Sequence, residues 1–347
     1  MSVRSVIGLA GVRLAQAVAT PLLPEDYLDV FAPLHGSSLR ARVAAVLPET
    51  ADAVTVVLHP GSGWAGHAPG QFLRLGVDVD GVRHWRSYSI TSRPDERHLT
   101  ITVRMQGAVS HHLAQSTSGT IVELQQAMGE FGIRGRPPAK CLFVTAGSGI
   151  TPVMGLLRAY RLPDAVVVHS ARTAQSVIFG DELRAMAGTG EFTLIEHHTA
   201  DAPRLVAADL PRLVPDISER RTWVCGPNDL INAVEQYYAD RGWEPPTSER
   251  FRAKLAAAGQ GGSVEFTRSG SRAEAPGDTA LLDVGEAAGV LMPSGCRMGI
   301  CYGCVLPLAE GSVRDLRDGS ATTAGHESPV LIQTCINAAA GPCSLTV

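Results

Sequence analysis

The sequence predicts a multidomain chain: an antiparallel β-barrel, an α/β domain with a parallel sheet, and a small α+β domain on the C-terminal side. Short apolar runs separated by Gly, Pro and Asp recur through residues 37–137, which is typical of a barrel of short strands. Apolar runs then alternate with helical patterns over 138–243, as in a parallel sheet covered by helices on both faces. A short β pattern resumes at 263 and continues to 347.

Two further segments flank these domains. Residues 1–36 are expected to form a helical extension, with an amphipathic helix at 6–19 and no signal peptide, because its apolar run is too short. This helix either packs on the protein's own surface or gives a foothold for a membrane-bound partner. Residues 244–262 are expected to be a linker with a Pro pair, a short helix at 248–258 and a run of glycines.

Composition narrows the possible functions. Since 45% of residues are apolar, the chain can form hydrophobic cores. The net charge of -4 gives no indication of the basic surface that nucleic-acid binding requires. Mean hydropathy is +0.07, and no apolar run reaches the ~18 residues needed to span a bilayer. Cys141, Cys225 and Cys343 lie in apolar strand-like contexts rather than in a disulfide framework, which predicts a reducing, cytoplasmic location.

The four remaining cysteines follow the spacing C-x4-C-x2-C, with the last one far along the chain: Cys296, Cys301, Cys304 and Cys335. This is the ligand spacing of plant-type [2Fe–2S] clusters. Gly299 and Gly303 allow the loop backbone to approach inorganic sulfide closely. Structural zinc sites usually use two separate cysteine pairs, whereas this chain has one pair and one distant cysteine. Zinc and unligated cysteines remain as alternatives.

Arg86-Ser87-Tyr88-Ser89 ends one predicted barrel strand. Alternate residues of a strand share a face, so Arg86 and Tyr88 point the same way. Such a pair suits a ligand with a flat ring and a pyrophosphate. The tyrosine can pack on the ring, and the arginine can donate two hydrogen bonds to a phosphate. Downstream, Gly107-Ala108-Val109-Ser110 opens a predicted helix, and its serine is either part of an anion site or an ordinary helix cap.

The α/β domain carries two further motifs. Gly147-Ser148-Gly149-Ile150-Thr151-Pro152 joins a predicted strand to a predicted helix, the context for binding a phosphate at a helix N-terminus. Cys225-Gly226-Pro227 ends the last predicted strand, so Cys225 is expected to face the same crevice as Gly147. The alternative for Cys225 is a buried structural thiol.

These motifs occur together and in order, and over residues 38–347 the chain resembles the ferredoxin–NADP reductase superfamily. More narrowly, it is similar to reductases with a fused C-terminal [2Fe–2S] domain of β-grasp fold. The resemblance implies that Arg86 binds the flavin pyrophosphate, that Tyr88 packs on the isoalloxazine and that Ser89 hydrogen-bonds near flavin N5. It implies FAD, with FMN as an alternative, and the Gly107–Ser110 element favours FAD.

The resemblance also assigns roles around the nicotinamide. The glycine loop with Gly147, Gly149, Thr151 and Pro152 is expected to bind the dinucleotide, and Cys225 to lie near the nicotinamide with Gly226 and Pro227. Glu249-Arg250-Phe251 resembles the Glu-x-Phe element that several members place beside the flavin. We therefore expect Ser89, Cys225 and Glu249 to be the catalytic residues.

Arg172 follows the second predicted strand of the sheet, where an arginine accommodates a 2′-phosphate. The sequence therefore favours NADPH over NADH. The N-terminal extension resembles actinobacterial reductases that serve membrane acyl-CoA desaturases or alkane hydroxylases. We expect such a membrane partner, with the protein in the cytoplasm and possible peripheral contact with the membrane through that partner.

The implied activity is electron transfer from NADPH through a flavin and the [2Fe–2S] cluster to a di-iron desaturase or hydroxylase. Other acceptors are open, including a Rieske-type or other soluble oxygenase. A terminal flavin or ferric reductase is a further alternative, and so is a redox-sensing regulator, although the sequence shows no DNA-binding module.

Overall fold

The computed structural model describes residues 34–36, 38–79, 82–251, 260–295, 297, 299, 302–325 and 327–347. The helix predicted at 6–19 and two predicted cluster ligands, Cys296 and Cys301, lie outside these residues. Within them, no helix combines the length and apolar character that crossing a membrane requires.

The first domain is a six-stranded antiparallel barrel, as predicted. Its strands β1 to β6 are Arg40–Thr50, Ala53–Pro60, Phe72–Val79, Val82–Ser89, Leu99–Arg104 and Ile121–Leu124. They follow the order β4-β3-β6-β1-β2-β5, and a bridge between Ile90 and Ile101 brings the two end strands together. Alternating apolar side chains fill the interior, where Leu58, Leu73 and Leu75 are fully buried. The short helix α1 spans Ala108–Ala114.

The second domain has a parallel sheet with strands β7 to β11: Cys141–Ala146, Ala165–Ala171, Thr193–His198, Arg221–Cys225 and Thr247–Glu249. Helices α2 to α5 are Ile150–Ala159, Gly180–Gly188, Leu210–Leu213 and Asn228–Ala239. All seven residues of β8 are buried, as expected for a central strand covered on both faces. One apolar cluster includes α2 and α3, and the other includes α4 and α5, so helices cover both faces.

Strand β11 corrects the prediction for the linker. The helix expected at 248–258 is wrong at its start, because Thr247–Glu249 pairs in parallel with β10. Three residues are too few for a recognisable strand pattern, and they follow Pro245 and Pro246 directly. The sheet therefore extends past residue 243, and this edge strand carries Glu249.

The strand order β11-β10-β7-β8-β9 places a topological switch point between β7 and β10. In open α/β sheets, ligands bind in the crevice beyond the carboxyl ends of the strands at such a point. The glycine loop follows β7 and Cys225 ends β10. The two motifs of this domain therefore lie side by side.

The third domain has a mixed sheet and one helix. Strands β12 to β17 are Gly262–Phe266, Ser271–Ala275, Val305–Asp315, Ala321–Ala324, Val330–Gln333 and Asn337–Leu345, and helix α6 is Leu281–Ala287. Strands β12 and β17 are parallel, and the other pairs are antiparallel. Phe266 and Leu308 of the sheet, with Leu281 of the helix, are fully buried in its core. This is the predicted α+β architecture.

Candidate active site

Strand β4 carries the predicted flavin-binding tetrapeptide at its end. Arg86 and Tyr88 lie two residues apart in this strand and so share one face. Both are partly buried, and burial raises the pKa of the Tyr88 phenol while it lowers the pKa of Arg86. Arg86 Nη1 donates to the Trp85 carbonyl at 2.9 Å. The remaining guanidinium hydrogens are available for a phosphate, in keeping with the predicted role.

The other face of the strand end presents hydroxyls that lack partners. Ser87 Oγ and Ser89 Oγ are both buried, and neither has a hydrogen-bond partner of good geometry among the described residues, although the Ser89 hydroxyl lies near the Glu249 carboxyl group. A buried hydroxyl without a partner is costly, by roughly 1–3 kcal/mol. These atoms therefore fit a bound group that supplies hydrogen-bonding atoms, as a flavin ring edge does.

The predicted pyrophosphate element forms the start of α1. Ser110 Oγ accepts from the backbone N–H of Gly107 at 3.0 Å and of Gln106 at 2.9 Å, so the serine acts as a cap. Val109 is buried, and apart from the chain neighbours of Gly107, no atom of the described residues lies within 4 Å of where a Cβ on Gly107 would stand. The Ser110 cap thus fixes the turn, while the space at the Cβ position of Gly107 leaves room for an anion.

The glycine loop packs on the end of β10. A Cβ on Gly149 would lie 2.1 Å from the Cys225 carbonyl oxygen, so only glycine fits there. Gly147 has φ +55°, a conformation that suits glycine. Thr151 Oγ1 donates to the Ser148 carbonyl at 2.9 Å and Pro152 is buried in the first turn of α2. The loop has the tight backbone expected of a phosphate-binding helix start.

The Cys-Gly-Pro motif lies against this loop. A Cβ on Gly226 would come within 3.2 Å of Ala146 at the end of β7, and Pro227 directly precedes α5. Cys225 is fully buried, and burial, together with the nearby Glu249 carboxylate, raises the pKa of its thiol. The thiol therefore stays protonated and acts as a compact apolar contact rather than as a nucleophile.

Glu249 is the residue that joins the barrel to the sheet. It stands opposite Cys225 in the β10–β11 register, and the Ser89 hydroxyl lies near its carboxyl group. Burial raises the pKa of Glu249 to about 8, against the opposing effect of Ser89. Its Oε2 has no hydrogen-bond partner in the described part of the chain. Ser89, Cys225 and Glu249 thus lie close together around a carboxyl group with a raised pKa, and their catalytic roles stay a prediction.

The neighbours of Glu249 fix it in place. Ser248 Oγ donates to Glu235 Oε1 of α5 at 2.8 Å, and Arg250 Nη2 pairs with Glu235 Oε2 at 2.6 Å. Strand β11 is therefore tied to α5 on both sides of the carboxyl group. Phe251, expected beside the flavin, is 39% exposed. Its ring is available to cover a bound group.

Glu249 also begins a row of polar side chains across the sheet. Strand register aligns Glu249 with Cys225, Thr145, His169 and Glu196. Thr145 Oγ1 and His169 Nδ1 are 2.8 Å apart, and burial lowers the pKa of His169 to about 4. Thr145 and His169 carry no motif that marks them in the sequence, because both stand within strands predicted from their apolar runs.

Arg172, the predicted 2′-phosphate ligand, lies immediately after β8 at the carboxyl edge of the sheet. Its side chain is exposed and makes no hydrogen bond or ion pair with the residues that the structure describes. A free guanidinium at this edge suits a phosphate, and the assignment stays a prediction.

Two of the predicted cluster ligands are brought together. Cys304 Sγ lies 3.1 Å from Cys335 Sγ, although 30 residues separate them along the chain, and both are buried. The hydrogen bond with Cys335 holds the pKa of Cys304 below its usual range, with help from backbone N–H groups and the Thr334 hydroxyl. Thiolates are what iron binds, so this environment fits the cluster.

The cluster loop leaves no space for a side chain at Gly299. This residue has φ +73°, and a Cβ would lie 2.9 Å from both Ile336 Cδ1 and Arg317 Nη1. Glycine is therefore required here by the packing against Ile336 and Arg317, and the predicted approach of the backbone to inorganic sulfide stays a prediction. Tyr302, in the same loop, is 69% exposed.

An ion cluster beside this loop acts electrostatically on Arg86 of the barrel. Arg297 Nη1 bonds Asp283 Oδ1 at 2.6 Å, and Arg297 Nη2 bonds Glu286 on the same helix. The positive charge of Arg297 lowers the pKa of Arg86, whereas the negative charge of Glu286 raises it. The predicted pyrophosphate arginine and the residue next to Cys296 thus belong to one electrostatic cluster.

The three domains also meet beside Glu249. A cleft of about 1070 Å³ is lined by Phe72 and Phe131 of the barrel, by Trp223 and Glu249 of the sheet, and by Arg317 of the third domain. The indole Nε1 of Trp223 is buried and unpartnered among the described residues. Glu249 therefore lies at a cleft to which all three domains contribute.

A flavin-type barrel, a nucleotide-type parallel sheet and a plant-type cysteine set in one chain define an oxidoreductase that holds three redox groups. Family comparison agrees with this class. Residues 55–133 match the oxidoreductase FAD-binding domain, and residues 264–336 match the 2Fe-2S iron-sulfur cluster binding domain.

A relative covers nearly the whole chain. The "NADPH oxidoreductase" of Mycobacterium tuberculosis is 42% identical over 351 residues, which is 96% of this chain and 91% of the relative. The "Stachydrine N-demethylase reductase subunit Stc4" of Rhizobium meliloti is 29% identical, over 83% of this chain and 91% of the relative. The chain therefore belongs to the ferredoxin–NADP reductase superfamily, in the branch with a fused C-terminal [2Fe–2S] domain.

Solved structures show the same fold. Phthalate dioxygenase reductase, described as a modular structure for electron transfer from pyridine nucleotides to [2Fe-2S], superposes with a TM-score of 0.61. The match covers 90% of this chain and 98% of that chain at 24% identity. The protein is an NAD(P)H-dependent oxidoreductase with FAD and a [2Fe–2S] cluster, as its sequence predicts.

Proposed function

We propose that this protein takes electrons from NADPH and passes them one at a time to a membrane-bound di-iron acyl-CoA desaturase or alkane hydroxylase. The observation that carries the electron path is the position of strand β4. Its Ser89 end lies near Glu249 and the nucleotide sheet, while Arg86 interacts with Arg297 of the cluster loop. Strand β4 thereby lies beside both the nucleotide sheet, which would bind the electron donor, and the cluster loop, which would hold the electron acceptor.

The residues divide the work of binding and orientation. Arg86 would hold the flavin pyrophosphate and Tyr88 the ring, with Gly107, Val109 and Ser110 forming the turn around the phosphates. Gly147, Gly149, Thr151 and Pro152 would seat the dinucleotide. Arg172 would bind the 2′-phosphate, which favours NADPH, and the printed name of the Mycobacterium tuberculosis relative specifies NADPH as well.

Ser89, Cys225 and Glu249 would surround the reacting atoms. When bound, the flavin accepts a hydride and releases electrons singly, and the cluster carries one electron at a time. Ser89 can donate a hydrogen bond to a ring nitrogen, and Glu249, protonated at neutral pH, can supply or take up the accompanying proton. Cys225, Gly226 and Pro227 would shape the floor on which the nicotinamide stacks and exclude water from it.

Four thiolates would hold the cluster: Cys296, Cys301, Cys304 and Cys335. The acceptor would dock beside them, where the exposed Tyr302 and Leu331 lie in the third domain. The buried, unpaired thiols of Cys141 and Cys343 suit a reducing compartment, so we place the protein in the cytoplasm. Its contact with the membrane would be peripheral and made through the partner.

A second candidate acceptor is a soluble oxygenase, of Rieske or other type. Two similarities favour it: the Rhizobium meliloti relative is named a demethylase reductase subunit, and the similar solved structure is a dioxygenase reductase. Purified protein would be added to membranes containing a desaturase or hydroxylase and, separately, to soluble oxygenase components. NADPH-dependent product formation only with the soluble components would exclude the membrane partner.

The electron path itself is tested with Cys301→Ser. This change removes one thiolate from the cluster and leaves the flavin and nucleotide residues intact. We expect NADPH to bleach the flavin at the parent rate, whereas steady-state reduction of cytochrome c falls at least about tenfold, since single-electron transfer to the protein acceptor needs the cluster. Undiminished cytochrome c reduction in the variant would instead support a terminal flavin reductase.

A further inference from the structure

The end of α2 opposite to the nucleotide loop carries an arginine that the proposed function does not use. Arg158 Nε and Nη2 bond the two carboxylate oxygens of Glu182 in α3 at 2.9 and 2.6 Å. Its Nη1 donates to the carbonyl of Thr91 at 2.8 Å. Thr91 belongs to the barrel, two residues after Ser89. One guanidinium therefore ties two helices of the nucleotide domain to the flavin strand.

The surroundings of Arg158 hold it in one orientation. The guanidinium carbon lies 5.0 Å from the centre of the Phe179 ring, which is 3% exposed. Phe179 has φ 60°, an uncommon conformation for a bulky residue, at the start of α3. The Arg158 side chain itself is 20% exposed. A bidentate pair and an aromatic face restrict a guanidinium in a way that a lysine ammonium cannot reproduce.

The barrel segment that receives this bond is rigid. Thr91 is fully buried, its N–H donates to the Thr100 carbonyl at 2.8 Å, and its Oγ1 lies 2.8 Å from Thr100 Oγ1. One turn before Arg158, a Cβ on Gly155 would lie 2.6 Å from the Ile90 carbonyl oxygen. Helix α2 thus packs directly on residues 90 and 91, and Arg158 donates a hydrogen bond across this contact between the two domains.

Helix α2 connects the contact at residues 90 and 91 to the glycine loop. It begins at Ile150, beside the glycine loop, and Arg158 lies eight residues further on, about 12 Å along the axis. A helix of this length moves as a rigid rod. Any tilt of α2 against Thr91 therefore moves the nucleotide loop relative to Ser89.

We propose that Arg158 is a positioning residue, which sets the distance and orientation of the bound nicotinamide relative to the flavin by locking α2 onto the segment after Ser89. The inference rests on the proposed roles of the glycine loop and Ser89. Hydride transfer is sensitive to such geometry, because a displacement of about 1 Å at the reacting atoms can lower a rate by roughly 100-fold. Dinucleotide affinity depends mainly on the loop itself and should change little.

The test compares Arg158→Met with Arg161→Met in the holoprotein. Arg161 follows α2, is exposed, and has no hydrogen bond or ion pair within the described part of the chain. For Arg158→Met we expect flavin reduction by NADPH to slow by about tenfold or more at saturation, with a KM within about twofold of the parent. The long-wavelength absorbance of a nicotinamide stacked on the flavin should weaken in parallel. Arg161→Met should match the parent in all three measurements.

Three further variants make the result decisive. Glu182→Gln removes the negative charge and one of the two acceptor oxygens that hold Arg158, and we expect a smaller loss of rate and absorbance in the same direction. This variant serves if Arg158→Met does not fold. Arg158→Lys should not restore the absorbance. The proposal is overturned if folded Arg158→Met, or folded Glu182→Gln in its place, keeps the parent rate and absorbance. Ser89→Ala, measured in parallel, separates the two failures. A slowed Ser89→Ala beside an unchanged Arg158→Met overturns the positioning role alone, whereas two unchanged variants overturn the assignment of the site and the positioning role with it.

Discussion

The carboxyl group of Glu249 shows how burial can set the chemistry of a single residue. Its surroundings are the Cys225 thiol, the Ser89 hydroxyl and the edge of the sheet, none of which carries a positive charge. An ionised carboxylate there is poorly solvated, so the protonated form is favoured and the pKa rises to about 8. A group that titrates near neutral pH is suited to proton exchange with a redox cofactor.

Replacing Glu249 with Gln should remove this titration and keep the shape. Because the pKa in the folded protein lies above the ordinary 4.5, the folded state retains a proton that the unfolded chain releases. The free energy of unfolding therefore falls as pH rises between those two values. Relative to the parent, Glu249→Gln should gain stability by up to about 1.4 kcal/mol per pH unit from about pH 6 to about pH 8.

Thermal unfolding midpoints of both proteins across this pH range give the measurement. Glu191→Gln, an exposed change in the same domain, supplies the baseline. A midpoint difference between Glu249→Gln and the parent that stays constant with pH would show that the carboxyl does not titrate in this window.

At the scale of elements, the contact between the glycine loop and β10 defines the nucleotide crevice. Gly149→Ala would place a methyl group 2.1 Å from the Cys225 carbonyl oxygen, so the loop or the strand must move. We expect NADP⁺ affinity to fall by about tenfold or more, with a lower thermal midpoint, because backbone atoms on both sides cannot yield as a flexible side chain would.

Gly188→Ala is the matched control for this prediction. Gly188 ends α3, and no atom lies within 4 Å of where its Cβ would stand. This change should be neutral or stabilise the protein by about 0.5–1 kcal/mol. Isothermal titration with NADP⁺ compares the two variants, and equal affinity for both would contradict the packing argument.

The sequence was most informative where an element is long and periodic. All six barrel strands and the alternation of the second domain follow from apolar runs and turn residues. Strand β11 has three residues and takes its conformation from pairing with β10, so local pattern could not predict it. Arg158 bonds Thr91 across 67 residues, and no local signal marks such a partner.

The motifs predicted which residues form the candidate site, but not which residues hold those side chains in place. Ser89, Cys225 and Glu249 were named from short motifs, and the fold brings them together. Glu235, which holds the residues on both sides of Glu249, was missed because it acts through contacts formed only in the folded chain. Motifs thus identify the groups that meet ligands, and tertiary structure is needed to find what positions them.

At the scale of the whole molecule, the Arg297–Glu286 pair stands between the cluster loop and Arg86. Glu286 neutralises one of two arginines that otherwise repel each other across the domain boundary. In Glu286→Gln, cluster reduction by the flavin should slow by about threefold to tenfold at low salt, since a partly exposed ion pair contributes on the order of 1 kcal/mol. Added salt should restore part of the rate by screening the repulsion.

Stopped-flow absorbance of flavin and cluster after mixing with NADPH measures this step. Glu265→Gln removes the partner of Arg272 in the same domain and should leave the rate unchanged at every salt concentration. A Glu286→Gln rate that falls further with added salt would contradict the repulsion between Arg86 and Arg297.

In the proposed electron path, NADPH delivers electrons in pairs and the cluster passes them on singly. NADPH alone must therefore reduce both the flavin and the [2Fe–2S] cluster. Anaerobic addition of NADPH to the purified holoprotein, followed by visible absorbance and low-temperature EPR, tests this most directly. The account predicts that the flavin band bleaches and that the rhombic signal of a reduced [2Fe–2S] cluster then appears. Flavin bleaching without any cluster signal, or a preparation whose cysteines hold zinc, would contradict it.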